Sequence, residues 1–346
     1  MNAPSPTLLA YPFPAPPAPG ALLTVAPGVA WLRMPLPFAL DHINLWLLDD
    51  DDGYTIVDTG YGVERTRDLW EIVFVTLPSG RPVRRVIVTH YHPDHVGCAD
   101  WLCQRWDVEL WMTEAEFLSA HAVREGVAGY GTKVMQNHFR HHGLDEERLK
   151  AQETRGNAYL RGVPGMPSTY RRMIDGDTIA IGAHLWRVTT VYGHAPEHVT
   201  LHCAELGVLI SGDQVLPKIT TNVGVWGNQP EGDPLKRFLD SLARFEPLPA
   251  DTLVLPSHGL PFRGLQARIE QLRAHHVARL AELAAACHQP RTAAELLPVL
   301  FSRALDDHQM MFAMGEIVAH LNYLMYAGRL ERARDDQGIY RFVRTA

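Results

Sequence analysis

Thr89-His90-Tyr91-His92-Pro93-Asp94-His95 sets three imidazoles and a carboxylate close together, directly after the apolar run Val86-Ile87-Val88. A short β-branched stretch followed by a polar loop is how α/β sheets place chemistry at the carboxyl ends of their strands. Loop geometry lets neighbouring side chains converge, so His90 and His92 are expected to face one cation, with Asp94 and His95 turned toward a second. The bland alternative is a solvated polar loop, which would suffice for a lone histidine. This density of donors points to metal binding instead.

Three imidazoles and one carboxylate complete neither one closed site nor two open ones, so further ligands are needed. Three segments offer them, each ending an apolar run: Gly193-His194-Ala195-Pro196-Glu197-His198 after residues 186–191, Ser211-Gly212-Asp213 after 207–210, and Ser257-His258-Gly259 after 252–255. Singly, each reads as a turn residue or a satisfied polar group. Their joint order behind the dense cluster argues for one site.

Together these motifs resemble the metallo-β-lactamase fold superfamily, marked by His-x-His-x-Asp-His followed by separate His, Asp and His ligands; the likeness spans most of residues 1–260. The resemblance implies an α/β fold, the αββα sandwich. It implies that His90, His92 and His194 hold one metal, that Asp94, His95 and His258 hold another, and that Asp213 bridges the two. His198 and Asp58 would stand behind the ligands, Asp58 holding the metal loop by hydrogen bonds. Hydrolysis is implied rather than redox chemistry, because Asp and His occupy positions where the oxygen-reducing diiron branch carries Glu. Two divalent ions are expected, zinc by default, with iron and manganese open because imidazole and carboxylate suit them too. Two dications sharing a water bring its pKa toward neutrality, to about 7 for a single zinc. Asp94 would orient the bridging hydroxide.

The 346 residues exceed the usual size of one core, so two domains are expected. A formal charge of -7 gives no global attraction for nucleic acid or an anionic membrane. Cys98, Cys103, Cys203 and Cys287 form no Cys-x-x-Cys pair and fit core thiols of a reduced, cytoplasmic protein. Residues 1–20 are rich in Pro and Ala and lack both a basic start and an unbroken apolar run, so they read as neither signal peptide nor membrane span. An extended arm is expected, either disordered or wrapped on a neighbouring subunit.

The catalytic domain is expected over 21–262, opening with strands at 29–34, 43–48 and 54–57. A helix over 63–77 should put Leu69, Ile72 and Val73 on one face and stop at Pro78-Ser79-Gly80. A helical insert at 113–175 is longer than a plain connection and should roof the site, with Phe117, Tyr130, Met135 and Tyr159 lining a channel or packing the lid. Within it, Asn137-His138-Phe139-Arg140-His141-His142 reads as a solvated polar helix. Lys218, Asn222 and Trp226, beyond Asp213, are candidate substrate contacts; the plain alternative is a solvated Lys218 and a core Trp226. The glyoxalase II branch also has a lysine after its bridging Asp, but in a Gly-rich context missing here, which argues against a glutathione thioester.

Residues 263–346 change character. A long helix from 265 keeps Ile269, Leu272, His276, Leu280 and Leu283 in helical spacing, Thr292-Ala293-Ala294-Glu295 is a capping box, and a third helix over 310–327 is stopped by Gly328. A hairpin follows, turning at Asp335-Asp336-Gln337-Gly338. Three helices and a wing resemble the winged-helix tail of one branch of the superfamily, where His320-Leu321 matches the third helix. Residues 264–346 hold ten Arg against nine Asp plus Glu, and Glu316 is the only formal charge of the third helix. A phosphate-tracking helix needs Lys or Arg, so a packing or dimer-forming module is favoured over nucleic-acid binding, and a homodimer is expected.

The expected function is a dinuclear metallohydrolase acting on a small ester, thioester, lactone or related acyl substrate. The alternative is a metal-dependent endoribonuclease on single-stranded RNA, because the winged-helix branch includes a β-lactamase-like RNase that the chain resembles in both domains. That alternative needs a basic channel with stacking aromatics. A DNA-binding regulator with a structural metal fits less well, since these sites keep positions open for water.

Overall fold

In the computed structural model, which describes residues 9–78, 80–155 and 157–345, strands rich in Val, Ile, Leu and Trp form two facing sheets. The first has seven strands in sequence order: β1 (Leu23–Ala26), β2 (Val29–Pro35), β3 (His42–Asp50), β4 (Gly53–Val57), β5 (Val83–Ile87), β6 (Leu110–Met112) and β7 (Arg171–Arg172). Its early strands pair antiparallel, and β4 through β7 run parallel. The second has the order β12-β11-β10-β9-β8, from β8 (Thr178–Ile181), β9 (His184–Val191), β10 (His198–Cys203), β11 (Val208–Gly212) and β12 (Leu253–Pro256). Trp31, Trp46 and Trp186 are fully buried among the residues shared by the sheets, each worth about 1.5–3 kcal/mol of burial.

Helices cover both outer faces, which completes the expected αββα sandwich. Against the first sheet lie α1 (Glu64–Thr76), α2 (Pro93–Val96) and α3 (Ala99–Trp106). Against the second lie α8 (Pro234–Leu242) and α9 (Leu265–Ala286). The insert folds as α4 (Glu114–Glu125), α5 (Thr132–His141), α6 (Glu146–Arg155) and α7 (Tyr159–Gly162). The chain closes with α10 (Ala293–Leu300), α11 (Asp307–Tyr326) and the hairpin β13 (Leu330–Arg334) to β14 (Tyr340–Arg344). Both bonds of the capping box at Thr292 and Glu295 are made. All four cysteines are buried free thiols. Among the described residues, no helix is long and apolar enough to cross a membrane.

Several expectations are corrected. The buried face of α1 is Thr66, Trp70 and Val73, while Ile72 is 52% exposed. Trp70 wins the inward position because its indole buries more area and its Nε1–H donates to the Thr59 carbonyl at 2.9 Å. Leu69 packs at the edge of that core, and both it and Ile72 lie beside Gly20. The arm is laid on its own chain from residue 9: Ala10 and Arg263 exchange backbone bonds of 3.2 and 2.8 Å, and Leu9, Tyr11 and Phe13 pack on the cores. Residues 1–8 of the arm and Ser79 of the expected helix stop lie outside the described residues.

Nor is α5 a solvated helix. Gln136, His138 and Phe139 are buried, and His142 stacks on Phe342 at 6.2 Å between centroids. Imidazoles held neutral pack against aromatic rings as apolar surfaces do. The C-terminal helices share one core with the second sheet: Val254 and Phe238 belong to the same cluster as Leu272, Met314, Leu321 and Phe342. Much of α11 therefore faces inward, and the apolar face that suggested a dimer is spent within the chain.

Candidate metal centre

Parallel pairing sets the site. The register Val57 to Ile87 puts Asp58 beside Thr89, and the register Gly212 to Pro256 puts Asp213 beside the loop bearing His258. All the expected ligand loops leave carboxyl ends or strand junctions on this rim. His90, His92, His194 and Asp213 offer ligand atoms that all lie within 4.8 Å of one another; so do Asp94, His95 and His258. Asp213 faces both groups, with Oδ2 3.3 Å from His194 Nε2 and Oδ1 3.3 Å from His258 Nε2 and 3.6 Å from His95 Nε2.

The proton inventory shows that these residues fit cations. His194 Nδ1–H donates to the Asn222 carbonyl at 2.7 Å, His258 Nδ1–H to the His42 carbonyl at 2.8 Å, and His95 Nδ1–H to Asp58 Oδ2 at 2.8 Å. Each ring therefore turns its Nε2 inward, the nitrogen left for a cation or a proton. His90 Nε2 lies 3.2 Å from His194 Nε2 and 2.9 Å from His92 Nδ1. Asp213 Oδ1 and His95 Nε2 are buried with no hydrogen-bond partner. Ring nitrogens that face one another and an orphaned carboxylate oxygen need positive charge between them, and a His/Asp cluster able to bind metal ions supplies the place for it. Burial drives the His92 imidazole down to about 3. Burial opposes the charged form of His258 too, yet Asp213 and Asp94 outweigh it and push that ring up to about 10. The two groups thus differ in electrostatic setting: one mostly imidazole, the other dominated by carboxylate.

The supporting shell is dense. Asp58 is fully buried in the left-handed region at φ 62, accepting from the Thr89 backbone N–H at 2.8 Å and from the Thr89 hydroxyl as well as from His95. A non-glycine residue held there is locally strained, as backbones at functional sites often are. His198 is not among the two ligand groups; its Nε2 accepts from the Asp213 backbone N–H at 3.1 Å, and its ring occupies the space a Cβ at Gly212 would fill.

Three residues escaped sequence reasoning. Glu116 of α4 is fully buried; the N–H of Tyr91 donates to its Oε2 at 2.9 Å and the N–H of Glu197 to its Oε1 at 2.6 Å. It ties the first metal loop to the His194 loop. Burial pushes its carboxyl up to about 8 against those two bonds. His42 holds the His258 loop from both sides, accepting from His258 Nδ1 and, through its own Nε2, from the Gly259 N–H at 2.9 Å. Asn44 donates to the Pro256 carbonyl at 2.8 Å. The only sequence signal was an acidic residue at a position of α4 that proves to be inward.

A cavity of about 490 Å³ opens above His92 and His194. Tyr130, Met135 and Tyr159 of the insert line it, whereas Phe117 packs in the core, stacked on Tyr170. Trp226 lines it and also packs against the core, with Phe312 6.0 Å away. Lys218 and Asn222 do not. Arg268 of α9 takes the carbonyls of Leu216 at 2.6 Å and Ile219 at 2.8 Å, which turns Lys218 outward to solvent. Asn222 contributes its carbonyl to His194 and its side chain to Glu316.

Residues 39–258 match the metallo-beta-lactamase superfamily model, and residues 280–345 match the metallo-beta-lactamase-like C-terminal domain. The probable metallo-hydrolase YqjP of Bacillus subtilis is 26% identical over 304 residues, 85% of this chain and 91% of that protein. A hydroxyacylglutathione hydrolase of Erythrobacter litoralis is 26% identical over 223 residues, 64% of each chain. Among solved structures, a beta-lactamase domain protein from Burkholderia ambifaria superposes with a TM-score of 0.92 at 50% identity, covering 97% of this chain and 98% of that one. With the ligand loops, the sandwich and these matches in agreement, the chain belongs to the metallo-beta-lactamase superfamily of metallo-hydrolases.

Proposed function

We propose that the protein hydrolyses a small ester, thioester, lactone or related acyl substrate at a centre of two cations, zinc by preference. The observation that carries this reading is the cavity: the two ligand groups share Asp213 beneath a walled, largely apolar pocket rather than a basic groove. His90, His92 and His194 would hold one cation, Asp94, His95 and His258 the other, with Asp213 between. Cations held there would supply acidification of a water and polarisation of the acyl oxygen. Asp94, whose side chain remains 18% exposed, would orient the attacking water. His198 and Asp58 fix the ligands from behind, and the aromatic wall excludes bulk water. The hydroxyacylglutathione hydrolase relatives support acyl transfer to water. The outward Lys218 and the missing Gly-rich context do not favour glutathione itself.

RNA cleavage has less support. Two of the hairpin arginines are held by carboxylates, Arg332 by Glu231 at 2.8 Å and Arg341 by Asp335 at 3.0 Å, and α11 packs into the core. A metal-loaded preparation assayed on thioesters, lactones and labelled RNA tests the reading. Acyl turnover is expected, with loss of about a hundredfold or more in His92→Ala. Acyl turnover untouched by His92→Ala, or turnover of RNA alone, would refute it.

A further inference from the structure

Formal charge is sparse on the cavity wall: Arg161, Arg237 and Asp233. Asp233 is engaged as the N-cap of α8, accepting from the Lys236 N–H at 3.1 Å. The two arginines are exposed and, among the described residues, neither has a carboxylate within ion-pair distance. Nearby arginines differ: Arg244 meets Asp175 at 2.8 Å, and Arg332 meets Glu231. A guanidinium left unpaired beside an apolar wall is available for a carboxylate, sulfonate or phosphate, which it grips with two parallel bonds.

Placement sharpens the point. Arg161 precedes Gly162, which is packed on the Tyr61 ring and on Pro93, the neighbour of Asp94. Arg237 lies on α8, whose Pro234 and Phe238 touch Gly193, the neighbour of His194. The segments carrying Arg161 and Arg237 therefore pack on the loops that carry His92, Asp94 and His194, and both arginines line the cavity with Met135, Trp226 and Phe312 as its apolar wall. In a chain of net charge -7, two exposed arginines against the single Asp233, which feels Arg237, leave the cavity wall with an excess of positive charge that draws in anions and holds them against an apolar surface. A wholly neutral lactone or ester would make no use of them.

We infer that the cavity selects acyl substrates with an apolar body and an anionic group, Arg161 and Arg237 being the specificity-determining residues. The inference rests on the hydrolytic reading above for the word substrate, but the anion site has its own readout.

Two experiments on the metal-loaded, full-length protein test it. The first compares kcat/KM for phenyl octanoate and for the phenyl hemiester of octanedioic acid, which differ by one terminal carboxylate. Preference for the hemiester is expected, falling by about tenfold or more in Arg161→Met/Arg237→Met. The second measures calorimetric binding of octanesulfonate, a weak metal ligand, which the double variant should weaken by about tenfold or more. Equal kcat/KM for the two esters in the parent protein, or octanesulfonate binding unchanged in the double variant, overturns the inference. If neither ester is hydrolysed while octanesulfonate binding still depends on the arginines, the anion site stands and the hydrolytic reading falls.

Discussion

Glu116 carries two loops on one carboxylate, and its substitution separates a supporting residue from a ligand. In Glu116→Gln one oxygen becomes an N–H donor aimed at a backbone N–H, so one tie is lost and metal affinity should drop by about 10–100-fold in a chelator competition. The pH dependence has a definite sign. Burial raises the folded carboxyl from 4.5 to about 8, so its contribution to the metal-free protein is complete below 4.5 and is lost as pH rises toward 8. Thermal melts of metal-free protein should show the gap between parent and Glu116→Gln narrowing from about pH 5 to about pH 9; a widening gap would contradict the assignment. The seven residues that gather on this rim could be named from the sequence because cations accept few donor types and the motif that the chain resembles orders them. Glu116 and His42 were not, since their partners are backbone groups of distant loops that only the folded chain brings within reach.

At the scale of elements, two seams are lined with buried histidines. His138 and His142 face the hairpin from α5 and its C-cap, their rings 4.6 Å apart, and His276 of α9 meets His320 of α11 at 3.2 Å. Burial lowers all four from 6.5, His142 and His276 to about 3 and His138 and His320 to about 4. The unfolded chain thus takes up protons near 6.5 while the folded chain refuses them, so stability is full above that pH and is lost as pH falls toward 4. Urea midpoints should decline between about pH 7 and about pH 5, less steeply in His142→Phe. An identical slope in that variant would remove the hairpin seam from the explanation. Periodicity located α1 in the chain, but it could not rank Trp70 against Ile72, and reading 137–142 as a polar helix missed that its histidine face had an aromatic partner far along the sequence.

For the molecule as a whole, the sequence boundary at residues 262/263 marks a change of pattern and not a gap in packing. Phe238 and Val254 on one side and Ile269, Leu272, Met314 and Leu321 on the other fill one core, so a chain ending at Gly264 exposes a surface meant to be buried. Such a fragment should bind a hydrophobic dye and unfold without a sharp urea transition, whereas a cooperative transition would show that the sandwich stands alone. Sandwich architecture was readable in advance through the resemblance carried by the ordered ligand motifs, which implies that fold. Sharing of the core was not, because apolar spacing reveals a buried face without naming its partner.

The carbonyl that aims His194 belongs to Asn222, and that stretch is gripped downstream, by Arg268 and by the 3.0 Å bond from Val225 N–H to the Gly315 carbonyl. The tail of the chain therefore works as a tensioner on one imidazole. A fusion, a bound protein or a point change that levers α11 will retune the reactive centre from outside, and a cobalt-substituted spectrum will register it even where the cavity wall is untouched.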